Sequence, residues 1–377
     1  MKRWPVRLFS TFALLLVLVL AACGGGETDP TTAPSDTPTP EPARDFEEYF
    51  SDRTIVIIDG YPPGGGSDTL ARMFALHAGK HFPGNPQFEV QNLPGGGGLR
   101  GLQTGLLADP NHPQQLTIGM VNTRFVKQVL AGAEIEGFDP YDMQWLGVPD
   151  LGRSSRGVVV RRNVATSWDE IEASGRDFTM GSTEPGGPPD TGTNVLEVLG
   201  GPIRMVYGYG GTTEVLAGLE REEIDGSGFA AAESTVRRLF PEWIAEQYIV
   251  PVVWWSQPFD PDYLAELGAE EPIHIFDAIE MTDEQQRVFE TVEELNLLSS
   301  RTMFLPPGTP DDVYEAVIQA FEATMNDPEF IAAKQVGNFE AEYITAAEVT
   351  EIIAEAEQFS PEGMELFRQL TGIDALD

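Results

Sequence analysis

Cysteine is almost missing from this 377-residue chain: Cys23 is the only one, so neither an internal disulfide nor a thiolate metal site can form. Positive charge is scarce as well. Twenty-three Lys and Arg residues face 60 Asp and Glu, a formal net charge of −37 at pH 7, and the lysines are Lys2, Lys80, Lys127 and Lys334 alone. A surface of that sign repels nucleic acid and anionic lipid, so no nucleic-acid partner is expected. Its plain meaning is solubility; attraction of a cationic ligand is the functional alternative. Histidine is sparse too. His77, His81, His112 and His274 include one i,i+4 pair, His77 and His81, but Ala78 stands where an HExxH motif has its glutamate, and no zinc site is expected. No Gly-x-Ser-x-Gly elbow occurs, since Ser227 lies in Asp-Gly-Ser-Gly-Phe. Carboxylates are so frequent that paired acids carry no information. No catalytic residue, metal or cofactor is assigned.

What is present begins with an export signal. Lys2, Arg3 and Arg7 form a basic segment ahead of the apolar run Phe-Ala-Leu-Leu-Leu-Val-Leu-Val-Leu-Ala-Ala. That run is shorter than the ~20 residues that span a bilayer comfortably. Leu20-Ala21-Ala22-Cys23 resembles the lipobox of bacterial lipoproteins, in which the cysteine is diacylated and becomes the new N-terminus. Residues 1–22 are therefore read as a lipoprotein signal peptide and residues 23–48 as the lipidated Cys23 with a Pro/Thr-rich tether. At ~3.1 Å per residue the tether reaches about 60 Å. Loss of Lys2, Arg3 and Arg7 takes the formal charge from −37 to −40. The expected location is extracytoplasmic, on a periplasmic or outer membrane face, held by the lipid anchor.

With apolar residues at 41%, the rest has enough to build cores. From about residue 53, short β-like runs alternate with helical periodicity: strands at 54–59, 88–92 and 115–122, each followed by a turn and a helix. Leu70, Phe74 and His77 share the first helix face, Leu99, Leu102 and Leu106 the second, and Phe125, Val129 and Leu130 the third. A second round follows: strands at 157–162 and 177–182, one from Ile203, one in Glu-Ile-Asp-Gly-Ser-Gly, and one at 248–256. Ser167 and Glu170 form a capping box between the first two. The tail holds a strand, a Pro-Pro-Gly-Thr-Pro turn, a helix with Val313, Val317 and Phe321 aligned, and helical segments at 328–336, 345–357 and 361–371. Serial strand–loop–helix units favour doubly wound α/β lobes with ligand sites at the carboxyl ends of the strands. Crossovers near 150–158 and 250–257 make a clamshell: lobe I from 49–155 plus 257–377, and lobe II from 156–256.

The loop Asp59-Gly60-Tyr61-Pro62-Pro63-Gly64-Gly65-Gly66-Ser67-Asp68 is the sharpest motif. Glycines bring backbone N–H groups to an anion, and the following helix adds free N–H groups and its positive dipole end. No lysine follows Gly66, as a phosphate-binding P-loop requires, and no glycine stands three residues further, as a dinucleotide loop requires. An anion cradle, for a carboxylate or phosphate, remains, or a tight turn with Ser67 or Asp68 as helix N-cap.

Five motifs in order, spread over residues 53–370, resemble the Bug family, the solute receptors of tripartite tricarboxylate transporters. They are Ile55–Phe82 around the glycine loop, Phe88-Glu-Val-Gln-Asn-Leu-Pro-Gly-Gly-Gly-Gly, Phe178-Thr-Met-Gly-Ser-Thr-Glu-Pro-Gly-Gly, Val206-Tyr-Gly-Tyr-Gly-Gly through Asp225, and Met303-Phe-Leu-Pro-Pro-Gly-Thr-Pro. The resemblance implies a two-lobed periplasmic-binding-protein-like (Venus flytrap) α/β fold with two crossover strands. It also implies a monomer that captures a small organic acid for membrane permease subunits and catalyses nothing. By position, the first lobe would hold the ligand through Tyr61, Gly64, Gly65 and Ser67, the Gly95–Gly97 turn with Gly96 at its centre, and Asn122 and Thr123. The second lobe would offer Ser182, Thr183 and Gly186, and the turn of Tyr209 and Gly210. Phe229 stands near the place of an aspartate that meets the amine in amino-acid binders, which argues against an amino-acid ligand. Arg124 replaces a small residue; it is read either as a fork for a second carboxylate or as a solvated helix start. Residues 258–300 do not match. A sensor subunit for a membrane histidine kinase and a surface α/β enzyme stand as alternatives.

Overall fold

The computed structural model describes residues 44–151, 155–183, 185–298, 301–337 and 339–373. The readings of the leader, of Cys23 and of most of the tether lie outside them. The chain is helical from Phe46 to Ser51, with the Asp45 carboxylate accepting from the backbone N–H of Glu47 and Glu48, so the last residues given to the tether belong to the folded body.

Eleven strands occur among the described residues. They are β1 (Thr54–Asp59), β2 (Gln87–Asn92), β3 (Gln115–Val121), β4 (Gln144–Val148), β5 (Gly157–Arg161), β6 (Phe178–Gly181), β7 (Ile203–Val206), β8 (Ile249–Trp254), β9 (Ile273–His274), β10 (Thr302–Leu305) and β11 (Ile344–Thr345). Six build the first lobe's sheet in the order β11-β4-β10-β3-β1-β2. β1 pairs in parallel with β2 and β3, whereas β10 runs antiparallel between β3 and β4. The sheet is thus mixed, and the start of β10 lies at the carboxyl edge of β3, with Thr302 opposite Val121. β1 is an unbroken apolar run because both its faces are covered. β2, at the edge, alternates exposed and half-buried residues.

The second lobe is more broken. β5 pairs antiparallel with β8, β8 parallel with β9, and β6 parallel with β7. Isolated bridges from Gly226 to Val160 and Met180 stitch these pieces together. The strand expected in Glu-Ile-Asp-Gly-Ser-Gly shrinks to those bridges. A Cβ at Gly226 would lie 2.5 Å from the Val159 carbonyl oxygen and 2.8 Å from Met180 Sδ, so only glycine passes there.

Ile55, Ile57, Leu70, Phe74, Leu116, Ile118, Val317, Phe321 and Phe330 fill one face of the first sheet. The apolar cluster on its other face, with Leu102, Phe125, Trp145 and Phe304, continues into the second lobe through Val158, Phe178, Val195 and Val252. The joining pieces are helix Asp283–Leu298, which contributes Val288, Phe289, Val292 and Leu295, and helix Pro361–Thr371, which contributes Leu366, Phe367 and Leu370. Helix Asp283–Leu298 falls in the stretch with no family match. Among the described residues no helix is long and apolar enough to cross a membrane.

Caps follow the sequence with two changes. Ser167 accepts from the Glu170 N–H, but the Glu170 carboxylate reaches back to Thr166 rather than to the Ser167 N–H. A complete capping box occurs instead at Thr345 and Glu348.

Candidate functional site

The loop after β1 enters helix Gly66–Ala78 with Gly65 as N-cap, so neither Ser67 nor Asp68 caps it. Both side chains are buried and turned inward. Ser67 Oγ donates to Asp59 Oδ1 at 2.6 Å, and the Tyr61 N–H donates to the same oxygen at 3.1 Å. Burial pushes the Asp59 carboxyl up, and these two hydrogen bonds oppose the rise. Asp68 accepts the Gly64 N–H at 2.8 Å and pairs with Arg72 at 2.8 Å. Burial opposes ionisation of Asp68, but hydrogen bonds from Arg72 and Gly64 hold it below the usual range. Gly64 and Gly65 remain exposed at the tip.

Gly95 to Gly98 all have positive φ, which only a glycine run adopts without strain. Their helix, Leu99–Leu106, packs directly on β1's end: a Cβ on Gly101 would lie 2.5 Å from Gly60 Cα. Tyr61 Oη donates to the Gly97 carbonyl at 3.1 Å, and Asn122 Nδ2 donates to Tyr61 Oη. Asn122 also caps helix Thr123–Leu130 by accepting the Arg124 N–H at 2.7 Å. Thus Tyr61, Gly96, Asn122, Thr123 and Arg124 gather at one edge, the carboxyl end of β1 and β3. Arg124 lies beside the glycine turn, with Nη1 3.5 Å from where a Cβ on Gly97 would be.

A second arginine at that edge was missed by sequence reasoning. Arg301 precedes β10, and because β10 is antiparallel its start meets the carboxyl edge of β3. Arg301 Nη2 is 3.2 Å from the place of a Cβ on Gly66. Its Nη1 pairs with buried Asp150, its guanidinium lies 5.1 Å from the Phe339 ring centre, and its Nε is buried without a hydrogen-bond partner among the described residues. Only the strand direction, which local pattern does not carry, could have pointed to it.

In the second lobe Ser182 follows β6, fully buried, and donates its hydroxyl to Asp190 Oδ2. Thr183 accepts the Gly208 N–H at 3.2 Å through its carbonyl. Burial pushes Asp190 up to about 7, against the lowering effect of the Ser182 hydrogen bond. Asp190 Oδ1, Thr193 Oγ1 and Asn194 Nδ2, all on the first turn of helix Thr191–Val198 or its N-cap, are buried without a hydrogen-bond partner among the described residues. The Tyr209 ring lies between β6 and helix Thr212–Glu220, 3.3 Å from the place of a Cβ on Gly181 and 2.8 Å from one on Gly218. Gly210 donates its N–H to Glu214 at 2.7 Å. Phe229 is half-buried against the second lobe's own core.

Gly186 does not face open space. With φ +76°, it lies so close to the end of helix Pro361–Thr371 that a Cβ would be 2.1 Å from the Thr371 carbonyl oxygen. Its carbonyl accepts from Lys127 Nζ at 2.9 Å; Lys127 also reaches Asn296 at 3.1 Å, and Asn296 donates to Thr191 at 2.8 Å. This chain of bonds ties first-lobe helix Thr123–Leu130 to the second lobe's loop.

A cavity of about 870 Å³ lies elsewhere, between helices Asp283–Leu298 and Ala346–Glu355. Glu290, Glu294, Glu351 and Glu355 line it. Burial raises Glu290 and Glu294, and the neighbouring glutamates raise Glu294 further. Such walls repel an organic acid, so the loops and arginines above are the better site.

The fold is the two-lobed one of a solute-binding protein. A TctC solute-binding protein from Polaromonas, crystallised without ligand, aligns over 86% of this chain and 99% of its own, at 18% identity and a TM-score of 0.58. An adipate-bound protein of Rhodopseudomonas palustris aligns over 85% and 97%, at 16% identity and 0.48. The periplasmic binding protein BugD aligns over 84% and 97%, at 17% and 0.47. No family model and no curated protein matches the sequence.

Proposed function

We propose that the protein is an extracytoplasmic solute receptor, lipidated at Cys23, that captures a small organic di- or tricarboxylate for a tripartite tricarboxylate-type permease, without turnover. One observation carries this reading: two arginines, Arg124 and Arg301, stand against the two glycine turns at the carboxyl edge of the first sheet. Guanidinium forks and backbone N–H groups recognise carboxylates at contact distance. At ~0.15 M salt the charges of the remaining surface are screened beyond about 8 Å, so the net charge does not decide contact binding. The TctC-like fold and the five ordered sequence motifs support the same reading.

The test is calorimetry and thermal unfolding of the purified chain with a panel of mono-, di- and tricarboxylates that includes malate and adipate. A ligand that binds only the folded form raises Tm in proportion to the logarithm of its concentration. Saturable binding with a Tm rise is expected for at least one di- or tricarboxylate. A well-folded protein that binds none of the panel rules the reading out.

A further inference from the structure

The first helix of the site, Gly66–Ala78, carries a second feature at its far end, ~20 Å from the glycine loop at 1.5 Å per residue. It runs into a turn, Gly79–His81, which faces the start of helix Pro328–Val336. There, one donor atom each from His77, Asp327 and Glu329 lie within 4.8 Å of one another. A first-row dication bound at ~2.0–2.2 Å by N and O ligands brings its donors to roughly 3–3.5 Å apart, so a bound ion would draw these three groups together.

Asp327 is the fixed member. It is buried, and Oδ1 accepts the Glu329 N–H at 2.9 Å as the helix cap. His81 Nε2 lies 2.9 Å from Asp327 Oδ2, the kind of contact that orients a ligating carboxylate from behind. A cation already occupies the place. Lys80 Nζ is 2.6 Å from Asp327 Oδ2 and 2.6 Å from Glu329 Oε2. Its side chain is 45% exposed, and among the described residues no other polar contact holds the ammonium, so it can swing into solvent. The chain's charge of −37 also raises the local concentration of cations.

We infer that His77, Asp327 and Glu329 form a binding site for a transition-metal dication such as Zn²⁺, with Lys80 as a tethered competitor that the metal displaces. One imidazole and two carboxylates suit Zn²⁺, Ni²⁺ or Cu²⁺; the imidazole disfavours Mg²⁺ and Ca²⁺. The ion would pin the end of the glycine-loop helix to helix Pro328–Val336. The sequence hides the site because Asp327 stands 246 residues beyond His81.

The test is calorimetric titration of EDTA-stripped purified protein with Zn²⁺, with Co²⁺ absorption as a second probe. One ion per chain is expected. His77→Ala and Glu329→Gln should each weaken binding about tenfold or more, and His112→Ala should leave it unchanged. Lys80→Met should tighten it, since the competitor is gone. Glu329→Gln keeps the test valid if Asp327→Asn, which alters a helix cap, fails to fold. The inference is overturned if Zn²⁺ gives no saturable heat up to about 1 mM, a free energy of ~4 kcal/mol. It is equally overturned if His77→Ala and Glu329→Gln bind as wild type, or if Lys80→Met binds more weakly.

Discussion

The two jaws are built to different degrees of completion. In the first, Ser67 is tied to Asp59, Tyr61 to Gly97 and Asn122 to Tyr61, and buried Arg301 Nε is left without a hydrogen-bond partner among the described residues. In the second, Asp190 Oδ1, Thr193 Oγ1 and Asn194 Nδ2 are buried and unanswered. Leaving such a group unmet costs ~1–3 kcal/mol. The first jaw is therefore preorganised, and the second gains from whatever water or ligand completes it. A parallel contrast concerns the glycine turns, each of which already holds a carboxylate four residues on. Asp68, on Gly64, is buried and locked by Arg72, while Glu214, on Gly210, is exposed. On the proposed reading, a ligand carboxylate competes with exposed Glu214 for the Gly210 N–H more readily than with Asp68 for that of Gly64.

Arg301→Ala attacks the comparison hardest. It removes the ion-pair partner of buried Asp150, leaving that carboxylate the Glu340 N–H at 2.7 Å, and should cost about 3–5 kcal/mol in denaturant unfolding, together with loss of acid binding. Stability within error of wild type would mean that the first jaw does not depend on this pair.

Asp190→Asn tests the incomplete jaw through pH. The folded carboxyl is raised to about 7, so its contribution is complete below the unfolded value near 4 and is lost as pH rises through 7. At pH 8 the variant should be more stable than wild type by ~4 kcal/mol, and at pH 4 the two should converge. Parallel stability curves from pH 4 to 8 would contradict the raised value.

Ser67→Ala removes the hydroxyl on Asp59 and should cost about 1–3 kcal/mol, read from urea midpoints. Glu214→Ala should change stability least, by less than ~1 kcal/mol, because the group is exposed. Its effect should appear in binding, as a several-fold tighter hold on the acid by calorimetry. Unchanged affinity would show that the ligand does not use the Gly210 N–H.

Strand–glycine–helix units were legible because their signals are local. β1 falls on its expected residues, and β2 and β3 within one residue of theirs. β4 went unnoticed since no glycine loop follows Gln144–Val148. Arg301 and the partners of Lys127 were out of reach, because their positions depend on strand direction and on helix Asp283–Leu298 crossing both lobes. Charge also misleads in isolation. A lysine in a sequence is taken for surface, yet Lys334 is fully buried, donating to the carbonyls of Pro149 and Ala341, with burial pulling it down to about 8. Asp68 was recognised as important to its loop, but as a cap rather than as the internal partner of Gly64.

The scarcity of lysine has a practical consequence for covalent chemistry. Of the three lysines among the described residues, Lys127 and Lys334 are enclosed, and Lys80 alone presents its amine to solvent. An acylating reagent applied to the folded body therefore modifies Lys80 ahead of the other two. Peptide mass mapping of that single adduct becomes a footprint of one salt bridge, reporting when Asp327 and Glu329 hold the ammonium and when they let it go.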